Sequence, residues 1–447
     1  MTQAALLRRA FESIPLVPAT WNEVDPKYVF LPDSHVRALD PNNMLVVGPR
    51  GSGKSFWWHA LQNADLTSTL VERASVSTSG GFGEGDDATR PNEDVIEALL
   101  KDHQPKRVWS TVVLWQAARA ANVQLPDLPL WEHRVGWTAS HPEETAQFFH
   151  ATDDALAATK AMHVVLFDAL DRTSQDPATR LRLLSGLLQV VLDLRSRKAV
   201  RAKVFVRPDM LAPSVFAFPD ASKVSASRVS LSWSPIELYA LLFVYLGNAD
   251  DAEAAAAFRE STRFDWVRST RQWVVPPPLR RSEEAQTAVF VALAGPFMGT
   301  NQRRGHTYPW LPNHLADSLG VVSPRSFLAA MRAAADASSD AETALHWKGI
   351  QQGVRHASTI RAEEVQEDLE SAHGAMAALK DLVVPASVDE VHDRLAAAGM
   401  DSPEHTVSVL LAAGMMEKVD GNRINVPDLY RLHYELRRKG GFRSLKP

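Results

Sequence analysis

Met44-Leu-Val-Val-Gly-Pro-Arg-Gly-Ser-Gly-Lys-Ser55 is the stretch whose reading decides the fold. Leu45 to Val47 is a short apolar run suited to a buried strand. Gly48 to Ser55 fit G-x-x-x-x-G-K-[ST] at every fixed position, and Phe56 to Leu61 continue as a helix. Gly48, Gly51 and Gly53 let the backbone wrap an anion where a Cβ would clash or mask the N–H groups. The helix that follows aims its unpaired N–H groups and positive dipole end at the same point. Lys54 is placed to reach β- and γ-phosphates, and the Ser55 hydroxyl to ligate Mg²⁺. The expected nucleotide contacts are therefore Gly48, Pro49, Arg50, Gly51, Ser52, Gly53, Lys54, Ser55 and Phe56. The plainer alternative is a glycine-rich turn with a chance lysine, which the strand before it and the helix after it disfavour.

Downstream, Leu70 to Val76 reads as a second strand, and Ser77 to Glu93, rich in Gly, Asp and Ser, as a loop. Val95 to Lys160 is mainly helical in pattern. Trp109, Trp115, Trp131 and Trp137 are spread along it as packing residues rather than as a ligand box. Then His163-Val-Val-Leu-Phe-Asp168 runs four apolar residues into an acid, as in a central parallel strand buried on both faces. The C-terminal end of such a strand is where a doubly wound sheet binds its ligand. Asp168 is expected to hold the Mg²⁺ water shell opposite Ser55, and Asp171 to orient or deprotonate an attacking water; an ordinary Asp-rich turn is the plainer alternative. An amphipathic helix, Leu181 to Leu194, leads into the apolar strand Lys203-Val-Phe-Val-Arg207. Arg207 has two readings: beside a γ-phosphate, or paired with Asp209 or Asp171 as scaffolding. Arg228 to Trp233 reads as a fifth strand. Five strands with helical crossovers predict an α/β fold with a parallel sheet.

Gly48 to Ser55, the strand ending in Asp168-Ala-Leu-Asp-Arg172 and the strand ending in Arg207 together resemble the P-loop ATPases of the AAA+, STAND and KAP groups. The resemblance covers residues 40 to 335 in outline. It implies ATP as the nucleotide, Mg²⁺ as its partner ion, and a protein partner or oligomer, because many such ATPases close their sites with a neighbouring subunit's arginine. One departure matters. Position 169, where AAA+ members usually carry the catalytic Glu, is Ala, so efficient hydrolysis falls to Asp171. The spacing between the two motifs also exceeds a compact core, which marks residues 80–160 as an elaboration.

Residues 234 to 375 have helical periods, many alanines and no strand-like alternation, as in the helical lid that follows the sheet in these ATPases. Within them, Ser323 is a natural N-cap and Pro324 a natural first helical residue, which puts Arg325 in the first turn. A cation there opposes the helix dipole, and an anion nearby would resolve the conflict. The segment resembles the Pro-Arg element with which a lid helix touches the γ-phosphate; a plain helix start with an exposed Arg is the alternative. After Ala377, a helix opened by Ser387 and Glu390, a second begun at Ser402-Pro403, and a hairpin around Asp420-Gly421-Asn422 have the outline of a winged helix. Its second helix carries no Lys or Arg, unlike a helix that reads base edges. DNA contact remains open through the wing and tail cations Lys418, Arg423, Arg437, Arg438 and Lys439, with Arg443 and Lys446 beyond; a protein-contacting winged helix is the favoured reading.

The expected domains are thus 1–235, 236–375 and 376–447: a parallel P-loop sheet, a helical lid and a small winged helix. The 447 residues carry a net charge of −5, so no global basic field draws the chain to nucleic acid or to an anionic membrane. There are no cysteines, which removes thiol catalysis, thiolate metal sites and disulfides. No apolar run is long enough to span a bilayer or to serve as a leader, and a cytoplasmic location is expected. Three functions follow: an ATP-driven switch or motor, a nucleotide-loaded scaffold that hydrolyses poorly, and a DNA-dependent ATPase. Neither a guanine-specifying Asn-Lys-x-Asp nor a Leu-Ser-Gly-Gly signature occurs.

Overall fold

The computed structural model describes residues 2–15, 24–71, 75–85, 87–368 and 370–439. They divide into two compact units, one built on Leu31–Ser232, the other on Trp233–Pro447 with Asp25–Phe30 and the N-terminal helix.

The first unit is organised on a five-stranded parallel sheet. Its strands are β1 (Leu45–Val47), β2 (Val76–Phe82), β3 (Met162–Phe167), β4 (Val200–Val206) and β5 (Arg228–Ser230), in the spatial order β2-β3-β4-β1-β5. The strands β1, β3 and β4 are almost wholly buried, as their continuous apolar runs require of a sheet covered on both faces. The order places β4 between the phosphate-loop strand β1 and the acid-bearing strand β3.

The second strand differs from expectation. Leu70 closes a helix, Ala64–Leu70, and β2 begins at Val76 and runs through the Ser- and Gly-rich segment expected to be a loop. The physical reason lies in its neighbour. Buried His163 on β3 takes hydrogen bonds with the hydroxyls of Ser77 and Ser79, both at 2.9 Å, so the serines of β2 are tied to the neighbouring strand by their side chains. Lys203 is another polar group inside the sheet. Its Nζ donates to the carbonyls of Ala38, Asp40 and Asn43 at 2.6, 2.9 and 2.5 Å, pinning the approach to β1, and burial pushes its pKa down to about 7.

Helices Glu93–Leu99, Pro105–Ala120, Trp131–Ser140 and Pro142–Ala158 form the elaboration between β2 and β3. Trp109 is fully buried there and donates to the Leu183 carbonyl at 2.9 Å, in the helix Pro177–Leu194. It serves packing, as expected of these tryptophans.

The second unit is helical around one hydrophobic cluster that runs from Leu7 through Tyr239, Phe327 and Leu379 to Leu436. Residues 236–375 and 376–447, expected as two domains, share that cluster. The N-terminal helix Gln3–Ala10, expected with 1–235, packs here as well: Arg8 Nη1 donates to the carbonyls of Ser338, Ala341 and Thr343 at 2.5, 3.0 and 3.0 Å. A two-stranded hairpin, Val267–Arg268 with Trp273–Val274, interrupts the helices where no strand was expected. Toward the C-terminus, helix Val388–Ala397 is capped by Ser387, which accepts from the Glu390 N–H at 3.1 Å. Helix Pro403–Ala412 and the hairpin Glu417–Val419/Arg423–Asn425 follow, and Ala386–Ser387 adds a third strand. No helix among the described residues is long and apolar enough to cross a membrane.

Candidate functional site

The phosphate loop is built as its sequence demands. The Gly48 N–H continues the sheet ladder to the Val206 carbonyl at 3.1 Å, and a Cβ at position 48 would lie 2.3 Å from Ser52 Oγ. Gly53 turns the chain at φ +98°, and no side chain caps the helix Lys54–Gln62 that starts there. Its first turn is thereby left to an anion rather than to a capping residue. Pro49, Arg50, Gly51 and Ser52 occupy the loop and Phe56 the first helical turn, its ring edge-on to buried Trp57.

Lys54 is half-buried, and its ammonium donates to the carbonyls of Gly48 and Pro49, each at 2.9 Å. Burial lowers its pKa to about 8. The carboxylates of Asp168, Asp171 and Asp209 pull the other way, and the Arg207 guanidinium adds to the depression. These five side chains therefore form one electrostatic cluster at the C-terminal edge of β1, β3 and β4.

Asp168 follows β3 directly and is 2% exposed. Burial raises its pKa, against the Ser55 hydroxyl hydrogen bond and the Lys54 charge, which both favour the carboxylate. One carboxyl oxygen, Oδ2, is buried with no hydrogen-bond partner. The distance between the Lys54 helix and the Asp168 strand is set by Trp58, whose indole donates to the Leu166 carbonyl at 3.2 Å. A hydroxyl touching a carboxylate with an orphaned oxygen fits Mg²⁺, which takes few protein ligands and keeps water and phosphate oxygens for the rest. No group of three or more His, Asp or Glu among the described residues offers a closed metal cage instead.

Arg207 stands at the tip of β4, between the two. Its guanidinium is gripped by Asp209 (Nε 3.0 Å, Nη2 2.6 Å) and reaches Asp171 at 3.4 Å. Of the two readings open for Arg207, pairing with both aspartates is the one these contacts display. Asp171 is thus charge-paired, and its carbonyl also accepts from Arg180 at 3.1 Å.

The remaining expected residues lie in the second unit. Arg325 opens the helix Pro324–Asp336 behind the Ser323 cap, and the anion its placement calls for is supplied there by Glu364 at 2.7 Å. Glu364 also accepts from Arg361 at 2.9 Å, and Arg361 donates to the Tyr430 hydroxyl at 3.1 Å. The basic residues of the tail are similarly engaged. Arg437 pairs with Asp381 at 2.6 Å, Arg438 with Asp428 at 3.3 Å, and Arg423 Nε donates to the Asp420 carbonyl at 2.9 Å. Lys418 and Lys439 are exposed; Arg443 and Lys446 lie outside the described residues.

Glu84, just past the end of β2, went unnoticed in the sequence. It lines a cleft of about 300 Å³ with Ala169, Arg172 and Arg90. Nothing in a Gly-Glu-Gly stretch read as loop would single it out until β2 is seen to extend to Phe82.

No protein-family model matches the chain, and no curated protein matches it at a significant level. Among solved structures it is similar to Cdc6p from Pyrobaculum aerophilum, with 12% identity, TM-score 0.29, and 87% of this chain and 84% of that one covered. It is also similar to the Aeropyrum pernix ORC2 protein in its ADPNP–ADP complexes, with 10% identity, TM-score 0.33, and 94% and 93% covered. Similarity of that degree assigns no activity.

Proposed function

We propose that this chain binds ATP with Mg²⁺ on the loop Gly48–Ser55 and hydrolyses it, acting as a nucleotide-operated switch. The observation that carries the proposal is the convergence of Lys54, Ser55 and Asp168, with an orphaned carboxylate oxygen beside a hydroxyl. Lys54 would exchange its two loop carbonyls for phosphate oxygens, a stronger and more fully charged partnership. Ser55 and Asp168 would hold the ion, which supplies charge neutralisation at the phosphates. Arg207, steadied by Asp209 and Asp171, would stand as a fixed positive charge toward the γ-phosphoryl group. The C-terminal helix, helix and hairpin would serve as a winged helix that contacts protein. Its second helix lacks Lys and Arg, and Arg437 and Arg438 are paired with carboxylates.

Ala169 favours a second reading, a scaffold that holds nucleotide and barely turns it over. Phosphate release from ATP by the purified chain, with Mg²⁺ and with EDTA, and with and without duplex DNA, separates the possibilities. Mg²⁺-dependent turnover indifferent to DNA is the expected result. Turnover stimulated by DNA would instead select a DNA-dependent ATPase. Tightly bound nucleotide with negligible turnover would select the scaffold, and absence of nucleotide binding would overturn both.

The depressed pKa of Lys54 adds a pH signature. Below about 8 the ammonium is already present in the free site, so ATP affinity is flat. Above it, the neutral amine must take up a proton on binding. Affinity should then fall about tenfold per pH unit, with proton uptake visible by calorimetry in buffers of different ionisation enthalpy. An affinity unchanged from pH 7 to about 9.5 would remove Lys54 from the phosphate contact.

A further inference from the structure

Ala169 leaves β3 without a carboxylate immediately after Asp168, and Asp171 stands in the ion-pair cluster with Arg207 and Asp209. The neighbouring strand supplies one. Strand β2 runs beside β3 to Phe82, whose carbonyl accepts the Asp168 N–H at 3.0 Å, so the two chains leave the sheet side by side. Two residues later Glu84 enters the cleft that Ala169 also lines. We propose that Glu84 is the carboxylate that activates the attacking water, delivered from β2 in place of an acid at position 169; this rests on the ATP-hydrolysis reading above.

The local construction holds that carboxylate in place. Gly83 has no room for a side chain, since a Cβ there would lie 2.4 Å from the buried Trp58 ring, and Gly85 sits at φ +85°. Between them, the carbonyls of Glu84 and Gly85 accept from Arg90 Nη2 at 2.5 and 2.9 Å. Arg90 is itself 8% exposed and lies 4.8 Å from the Trp58 ring. Trp58 is the residue that ties the phosphate-loop helix to β3. The Glu84 loop is therefore braced by the same side chain that sets the Ser55–Asp168 spacing. The carboxylate is oriented by Arg172 Nη2 at 2.9 Å, three residues after Ala169. Trp58 lies on the helix that carries Lys54, so Gly83 against its ring and Arg90 over it keep the Glu84 loop beside that helix as well as beside the Asp168 turn.

In the step proposed, the water oxygen bonds to the γ-phosphorus as the bond from phosphorus to the β,γ-bridging oxygen breaks. That oxygen leaves on ADP with the electron pair. Glu84 accepts one proton of the water and later returns it to solvent. Arg172 is a positioning residue for the carboxylate.

The experiment is single-turnover phosphate release by the full chain with Mg²⁺-ATP, comparing wild type, Glu84→Gln and Glu84→Asp, with ATP affinity measured on each. Glu84→Gln should lose at least about 100-fold in rate, with affinity within about threefold of wild type and Glu84→Asp in between. A Glu84→Gln rate near wild type would overturn the assignment and leave the ATPase reading standing. Loss of affinity in Glu84→Gln in step with rate would overturn it in favour of a role in loop structure. A wild-type chain that binds ATP without turning it over would also overturn it, while leaving nucleotide binding intact. No ATP binding by wild type would remove both this inference and the function on which it rests.

Discussion

Lys54→Ala should weaken ATP binding by at least about 100-fold and remove turnover with it. The variant deletes the only ammonium in the cluster of Asp168, Asp171, Asp209 and Arg207, and the phosphates would lose two or more charge-assisted hydrogen bonds. The fold should survive. Lys54 is held without ligand by two loop carbonyls at 2.9 Å, but its burial is unfavourable enough to depress its pKa to about 8. Those opposing effects leave little net stability to lose. Thermal melts make the distinction. ATP at about 100 times its dissociation constant stabilises a binding protein by about 2.7 kcal/mol. Wild type should show the corresponding rise in melting temperature, and Lys54→Ala should melt near the unliganded wild type and stay there when ATP is added. A variant that still gains the full increment would show that the loop Gly48–Ser55 is not the nucleotide site.

The parts of this molecule that sequence makes legible are those in which one residue type has one local use. Gly48 and Gly53 are required by contact and by backbone angle, Lys54 and Ser55 follow at fixed spacing, and Asp168 ends an apolar strand. The Asp420-Gly421-Asn422 turn is legible for the same reason: Gly421 and Asn422 sit at φ +77° and +53°. Parts whose meaning depends on a distant partner were not legible. Ser77 and Ser79 suggest a loop until His163, 86 and 84 residues away, is seen to face them. Without that, β2 ends too early and Glu84 has no reason to be noticed.

Charge shows the same limit. Arg437 and Arg438 read as a basic tail until Asp381 and Asp428 come beside them. Arg325 reads as an unbalanced cation until Glu364 does. Arg207 is intermediate: its partners Asp209 and Asp171 could be named from sequence, but not that it would hold both together. The N-terminal helix is amphipathic in either unit, and the choice is made by the carbonyls of Ser338, Ala341 and Thr343, which only the folded chain presents to Arg8.

Asp168→Asn should separate stability from activity. The buried carboxylate carries an oxygen with no partner, and burial raises its pKa, so the ionised group is unfavourable in the folded state. The sign follows from linkage. A carboxyl whose folded pKa lies above its unfolded value near 3.9 holds its proton more tightly when folded. Its stabilising contribution is full below the unfolded value and is lost as pH rises through the folded one. Above the unfolded value wild type therefore bears a penalty that grows with pH, and the uncharged, nearly isosteric Asn bears none. Urea unfolding without nucleotide should show the variant more stable by on the order of 1 kcal/mol at pH 7, with the difference vanishing in acid. Activity should move the other way. Without the carboxylate, the site would lack a charged partner for Mg²⁺ beside Ser55, and electrostatic stabilisation of this kind is worth about 3–4 kcal/mol at a reacting centre. Turnover with Mg²⁺ should fall by about 100- to 1,000-fold while the variant stays folded. A variant that is less stable at neutral pH, or that hydrolyses ATP as wild type does, would mean that Asp168 is a structural acid and that the ion, if bound, is held elsewhere. A gain in stability joined to a loss of turnover is the pattern of a buried charge kept for its ligand, because such a group does the fold no service until the ion and the phosphates arrive.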